Sequence, residues 1–172
     1  MLKDSKKRNM FVRIMFVVYA IAMAYFLFLR HGFNVEGTYW EHISMNMNIV
    51  PFYTIKQNLY LILKQSNPYL VSHAIINLLG NIIGFIPFGI LLPLLSKRAR
   101  AFKKFFFYAI SSIVLIELIQ LLTLRGSFDI DDLILNMLGS LIGYMINYFT
   151  KLSAYFGAVK SYAQISLQTL AE

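Results

Sequence analysis

Glu117, Gln120, Arg125, Asp129, Asp131, Asp132 and Asn136 crowd into one short stretch of an otherwise strongly apolar chain, ELIQLLTLRGSFDIDDLILNMLGSLIG, Glu117–Gly143. A carboxylate held in low dielectric near a substrate can act as acid or base, which makes Glu117 and Asp132 candidates for proton transfer. Glu117 and the three aspartates are also hard oxygen donors of the kind divalent cations take. Their spacing matches no calcium loop, and no bound metal is expected beyond what Asp129, Asp131 and Asp132 could hold. Ser127 lacks the strained turn of a nucleophile, and no phosphate-cradling glycine loop is present. A second set, His73, Asn77 and Asn81, recurs every four residues and therefore shares one helix face; His73 is a further acid–base candidate.

These groups must be positioned by elements suited to a bilayer. Of the 172 residues, 58% are hydrophobic and 14% charged, against roughly 25% charged in soluble domains. Mean hydropathy is +0.61, and a chain this apolar finds its natural solvent in lipid. The absence of cysteine excludes disulfides, thiol catalysis and Cys-based metal sites. The net charge of +8 sits in short basic clusters beside apolar runs, the pattern that orients membrane proteins rather than one that binds nucleic acid.

Four apolar runs are legible: Met10–Leu29, Tyr69–Leu95, Phe105–Leu124 and Ile130–Phe149. The first is long enough to span, whereas a cleaved signal has an apolar region of roughly 7–15 residues; it reads as an uncleaved helix with Arg13 snorkelling to the headgroups. Residues 30–68 form an interfacial or re-entrant segment in which Tyr39 and Trp40 suit an aromatic belt. There Asn48–Phe52 is a proline turn, and Ile55, Leu59, Ile62 and Leu63 recur at helical spacing. Pro87 and Pro93 fall inside the second run, where neighbouring helices must satisfy the carbonyls they free. Leu152, Phe156, Val159, Ala163 and Leu167 give the tail an amphipathic period.

Lysine and arginine number five before the first run and in it, five in the 97–104 loop and two after Thr150, against Arg30, Lys56, Lys64 and Arg125 in the remaining connections. The positive-inside rule then sets both termini in the cytoplasm. At 1.5 Å per residue, Glu117 lies roughly 10 Å below the outer end of its helix. Gln120, Arg125, the aspartates and Asn136 share its half of the membrane with His73, Asn77 and Asn81. Structural roles compete with chemical ones at each position. Arg125 is the evident ion partner of Glu117, Asp129 or Asp131 suits the cap of the fourth helix, and the asparagines can bond helices together. Gly139-x-x-x-Gly143 lets the fourth helix approach a neighbour, with Gly80 and Gly84 of the second as the expected counterpart.

Three blocks, Asn48–Phe52, Asn81–Gly89 and Glu117-x-x-Gln120 with Arg125, Phe128–Asp132, Asn136, Gly139 and Gly143, resemble the VanZ-like membrane protein family over roughly residues 10–149. The resemblance implies a bacterial cell-membrane protein. The family's founding member is associated with low-level teicoplanin resistance without peptidoglycan remodelling, and the family brings no agreed catalytic residues. The expected fold is an all-α, multi-pass, four-helix membrane domain over 1–149, with a cytoplasmic tail at 150–172. The expected role is a non-transporting envelope protein whose outward polar pocket (Glu117, Gln120, Arg125, Asp129, Asp131, Asp132, Asn136, His73, Asn77 and Asn81) binds a headgroup or sugar. Expected partners are membrane lipids, a lipid-linked wall precursor or lipoglycopeptide, or a second copy of the chain, with no cofactor and no nucleic acid. The alternatives are an intramembrane enzyme using Glu117 or Asp132 on an envelope lipid, and a small transporter acting as an oligomer.

Overall fold

The computed structural model describes residues 2–29, 38–150 and 152, with side chains from residue 9 onward and excluding that of residue 29. The expected amphipathic tail, beyond Thr150 and Leu152, and Arg30 lie outside the described residues. Helix α1, Leu2–Ala24, continues as a π turn at Tyr25–Leu29. A short α2, Tyr39–Met45, a two-residue strand β1, Met47–Asn48, and α3, Tyr53–Lys64, follow. Helix α4 runs unbroken over Pro68–Leu95, α5 over Phe102–Leu122, and a second short strand β2, Phe128–Asp129, leads into α6, Ile130–Phe149.

Three of these helices contain segments long and apolar enough to cross a membrane, Asn9–Phe28, Pro68–Leu95 and Phe102–Leu122. Their outer faces carry exposed large hydrophobics such as Val18, Ile21, Ile83, Phe107 and Leu115, a surface that a bilayer covers and water does not. The chain is therefore a membrane protein. α6 has 20 residues but opens with Asp131 and Asp132. The third run begins earlier than its hydropathy suggested, at Phe102, and stops at Leu122, because Thr123 ends the helix and Leu124 turns the backbone to φ 54.

The elements begin where local chemistry starts them. Asn67 caps α4 by accepting from Tyr69 N at 3.0 Å, with Pro68 at the first helical position, where a missing N–H is harmless. Thr38 and Glu41 form a reciprocal capping box at α2. The Thr38 backbone amide, followed by its hydroxyl, holds the Glu41 carboxyl below the usual range. A depressed folded value means that this support is complete above the ordinary value of 4.5 and is lost as pH falls through the folded value. Amide protection at Thr38, whose N–H donates to the Glu41 carboxylate at 2.8 Å, should therefore fall as pH drops below 4.5, and Glu41→Gln should remove that pH dependence. Hydrogen exchange with protection factors corrected for intrinsic rates reads both.

α4 and α6 form the largest interface. Its close approach comes from glycine, although not through the pair that sequence spacing suggested. A Cβ on Gly139 would lie 2.0 Å from the Ile82 carbonyl oxygen, one on Gly143 2.1 Å from that of Ile86, and one on Gly89 2.0 Å from that of Ser140. Gly80 meets nothing within 4 Å, and Gly84 faces only the Met23 side chain of α1. α6 thus packs on α4 through Gly89 rather than Gly80 and Gly84, because those two glycines face the other side of α4. Beneath this contact Phe85, Phe88, Phe105, Ala109, Ile113 and Met137 form the core, with Tyr144 stacked 4.3 Å from Phe105.

Pro87 and Pro93, the two prolines inside α4, each have a helping donor at the carbonyl next to the one that the proline frees. Tyr19 OH donates to Gly84 O at 2.9 Å, three residues before Pro87, and Asn147 Nδ2 donates to Ile90 O at 2.8 Å, three before Pro93. Side chains from neighbouring helices thus bond the backbone where proline disrupts it.

Candidate functional site

The loop between α5 and α6 is tied to the segment before α3 by a two-residue parallel pairing, Met47 with Phe128 and Asn48 with Asp129. Phe128 N also donates to Asn46 O at 2.8 Å. This brings the Asn48–Phe52 turn beside the three aspartates, which then separate into three tasks.

Asp129 caps α6, its carboxylate accepting from Asp131 N at 2.8 Å. The same carboxylate accepts from Asn48 Nδ2 at 3.2 Å and from Thr54 Oγ1 at 2.5 Å. Asp131 is fully buried and accepts from Phe52 N at 2.5 Å and Ile55 N at 3.0 Å. It caps α3 from another helix, because Phe52, which stands at the cap with φ 64, offers no side-chain acceptor. Asp132 differs from both. Its Oδ1 accepts from Asn81 Nδ2 at 2.5 Å, and among the described residues no hydrogen bond reaches its Oδ2.

Asp132 faces a cavity of about 540 Å³, within the usual range for small-molecule sites. His73, Asn77 and Asn81 of α4 line it, with Gln120, Arg125, Asp129 and Asp132 from the α5–α6 connection and its flanks. Three expected site residues stand elsewhere. Asp131 lies under α3, and Glu117 and Asn136, 3% and 2% exposed, are sealed behind the wall. There Asn136 Nδ2 donates to Glu117 Oε1 at 3.2 Å. Asn136 Oδ1 is buried with no partner among the described residues. Arg125, the ion partner expected for Glu117, takes its place on the cavity lining. Burial thus places Glu117 behind the lining with Asn136, while Asp129 and Asp132 are the carboxylates that line the cavity.

α1 adds a wall that no motif in the chain foreshadows. Met23, Phe26 and Leu27 face the polar groups across the cavity, and Gln120 Nε2 donates to Leu27 O at 3.2 Å. Thr54, Gly80 and Gly84 also line it, with Ile76, Phe85, Gly126 and Ser127. Thr54 lay within the read segment without any chemical signal. Gly80 and Gly84 were visible as small residues at helical spacing, a pattern that marks room as well as close packing. Among the described residues no group of three or more His, Cys, Asp or Glu side chains is placed to hold a metal ion. The carboxylates of Asp129, Asp131 and Asp132 each turn to a different partner.

A family model described as VanZ/LLP1 matches residues 16–151. The chain is also similar to Protein VanZ of Enterococcus faecium, with 26% identity over 131 residues, 76% of this chain and 70% of that protein. No solved structure matches it.

Proposed function

The chain belongs to the VanZ/LLP1 family, and from that premise we propose that it is a cell-membrane protein that binds the polar head of an envelope amphiphile in the outer leaflet. In this reading α1, α4, α5 and α6 all span, both termini are cytoplasmic, and the cavity opens in the outer half of the bilayer. The amphiphile is a lipoglycopeptide or a lipid-linked wall intermediate, and the outcome is reduced teicoplanin sensitivity or maintenance of the envelope.

The observation that carries this reading is the cavity itself. It gathers polar groups from α4 and the α5–α6 connection against an apolar wall from α1, which is the chemistry of an amphiphile's two ends. Binding is favoured over acid–base catalysis because Glu117 is sealed off and the side-chain hydrogen bond that Asp132 accepts comes from the Asn81 amide. His73 lines the same cavity, and among the described residues no hydrogen bond joins it to Asp132.

Asp132→Asn tests the reading. The change keeps volume and leaves Asn81 an oxygen to bond, so folded protein should accumulate at the same level. In a susceptible Gram-positive host, cells expressing the intact chain should tolerate more teicoplanin than empty-vector cells, and Asp132→Asn should return them to the empty-vector value. Undiminished tolerance at equal protein level would remove the cavity from the mechanism. Reporter fusions that put the 97–104 loop outside would overturn the orientation.

A further inference from the structure

The mouth of the cavity lies along the seam between α1 and α4, where Phe26 and Ile76 line it while remaining 54% and 50% exposed. Both helices carry membrane-crossing segments, so these side chains meet lipid and not water. A vestibule meant for soluble molecules would have a polar rim. Of the three membrane-crossing segments that of α1 is the least enclosed, 6% buried against 22% and 28%, and its described polar ties to the rest are the Tyr19 and Gln120 hydrogen bonds. On α4, Gly80 opens onto empty space, with nothing within 4 Å of where a Cβ would sit. Glycine within a helix is costly relative to alanine, and no close contact explains it here.

The polar end has its own signature. Asp129 and Asp132 outnumber Arg125 among the charged lining groups. Asp129 already accepts three donors, whereas Asp132 Oδ2 accepts none from the described residues. A phosphate placed there would meet carboxylates, and like charges brought together repel. A head rich in donors, such as hydroxyls or an ammonium, meets the open acceptor instead.

We propose that the cavity takes one hydrocarbon chain from the bilayer through the α1–α4 seam, along Gly80 and Gly84, and holds a neutral or cationic, donor-rich head against Asp132 and Asn77. This deepens the binding reading above and rests on it. It identifies the entrance as lateral and excludes an anionic head at Asp132, which sets aside a phosphate-linked wall intermediate and keeps the lipoglycopeptide.

The test places a single tryptophan at the seam, Phe26→Trp in a Trp40→Phe background, in phosphatidylcholine nanodiscs. The probes are terminally brominated dodecyl chains carrying a glucoside, an amine, a phosphate or no head. Saturable quenching is expected from the glucoside and the amine, with the phosphate needing roughly tenfold more. Gly80→Leu should abolish the saturable component, whereas Gly80→Ala keeps it. Among the described residues nothing lies within 4 Å of a Cβ at Gly80, so the thermal midpoint of Gly80→Ala should hold or rise, and that of Gly80→Leu, measured alongside, shows that lost quenching reports a blocked route. Quenching that grows linearly for every probe and ignores Gly80→Leu would overturn the proposal. Saturable quenching that is equal for glucoside and phosphate would overturn the head assignment. The two readings can fail separately. If Gly80→Leu blocks the probes but leaves teicoplanin tolerance intact, the amphiphile site stands and the resistance role falls. If it removes tolerance without changing quenching, the lateral route falls and the broader role stands.

Discussion

Gly139→Ala is expected to cost about 3 kcal/mol of stability, the upper end of what overpacking exacts, and to deplete folded protein. The added methyl would lie 2.0 Å from the Ile82 carbonyl oxygen, a separation no pair of atoms tolerates, and the obstacle is backbone rather than a side chain that could swing away. Gly143 and Gly89 repeat the contact at the Ile86 and Ser140 carbonyls, so α6 cannot slide along α4 to relieve one clash without tightening another. The helices must separate. Separation would loosen Met137 from its aromatic neighbours in the core and pull Asp132 away from Asn81. Thermal unfolding in detergent, followed by size exclusion, reads the loss. Gly80→Ala is the control, where a methyl enters open space and the gain should be about 0.5–1 kcal/mol. Equal midpoints for Gly139→Ala and the unaltered chain would show that the glycine contacts do not hold the pair together.

The second large effect is expected at Asp131. Its carboxylate bonds the amides of Phe52 and Ile55, the same two donors that a residue at the cap and its partner three positions on would satisfy in a capping box. Here the acceptor comes from α6. Asp131→Ala leaves two amides at the start of α3 without it in a buried place, and a loss of about 3 kcal/mol follows from what unmade hydrogen bonds to charged groups cost. Asp131→Asn should lose less, since an amide oxygen still serves one of the two donors. The damage should be local. Amides over 52–58 should exchange faster and a protease should cut between Asn48 and Gln65, while the α4–α6 contact stays protected. Uniform destabilisation, with α3 no worse than α6, would contradict the cross-helix cap. Asp132→Asn, one residue away, should change ligand response and leave α3 untouched.

The membrane-crossing segments, the proline turn before α3 and the polar grouping of His73, Asn77 and Asn81 with the α5–α6 connection were all legible in the chain. Each depends on local periodicity: hydropathy marks helices, and a spacing of four marks a face. What a face touches is not local. Asp129, Asp131 and Asp132 look alike in sequence, yet successive helical residues point about 100° apart. One therefore turns to its own helix and Asn48, one to α3 and one to the cavity. Glycine is equally ambiguous in sequence, since its missing side chain serves a close contact at Gly139 and an open space at Gly80. Only the tertiary pairing of α6 with α4 distinguishes them.

The same division applies to the carboxylates and to α1. Sequence set the family resemblance, the helical runs and the residues from which a site could be made. The tertiary structure decided that Glu117 would be enclosed with Asn136, that Asp132 would be the exposed acceptor, and that Met23, Phe26 and Leu27 would supply the apolar wall. Burial and distance between segments far apart in the chain made those choices, because neither quantity is written in the order of neighbouring residues.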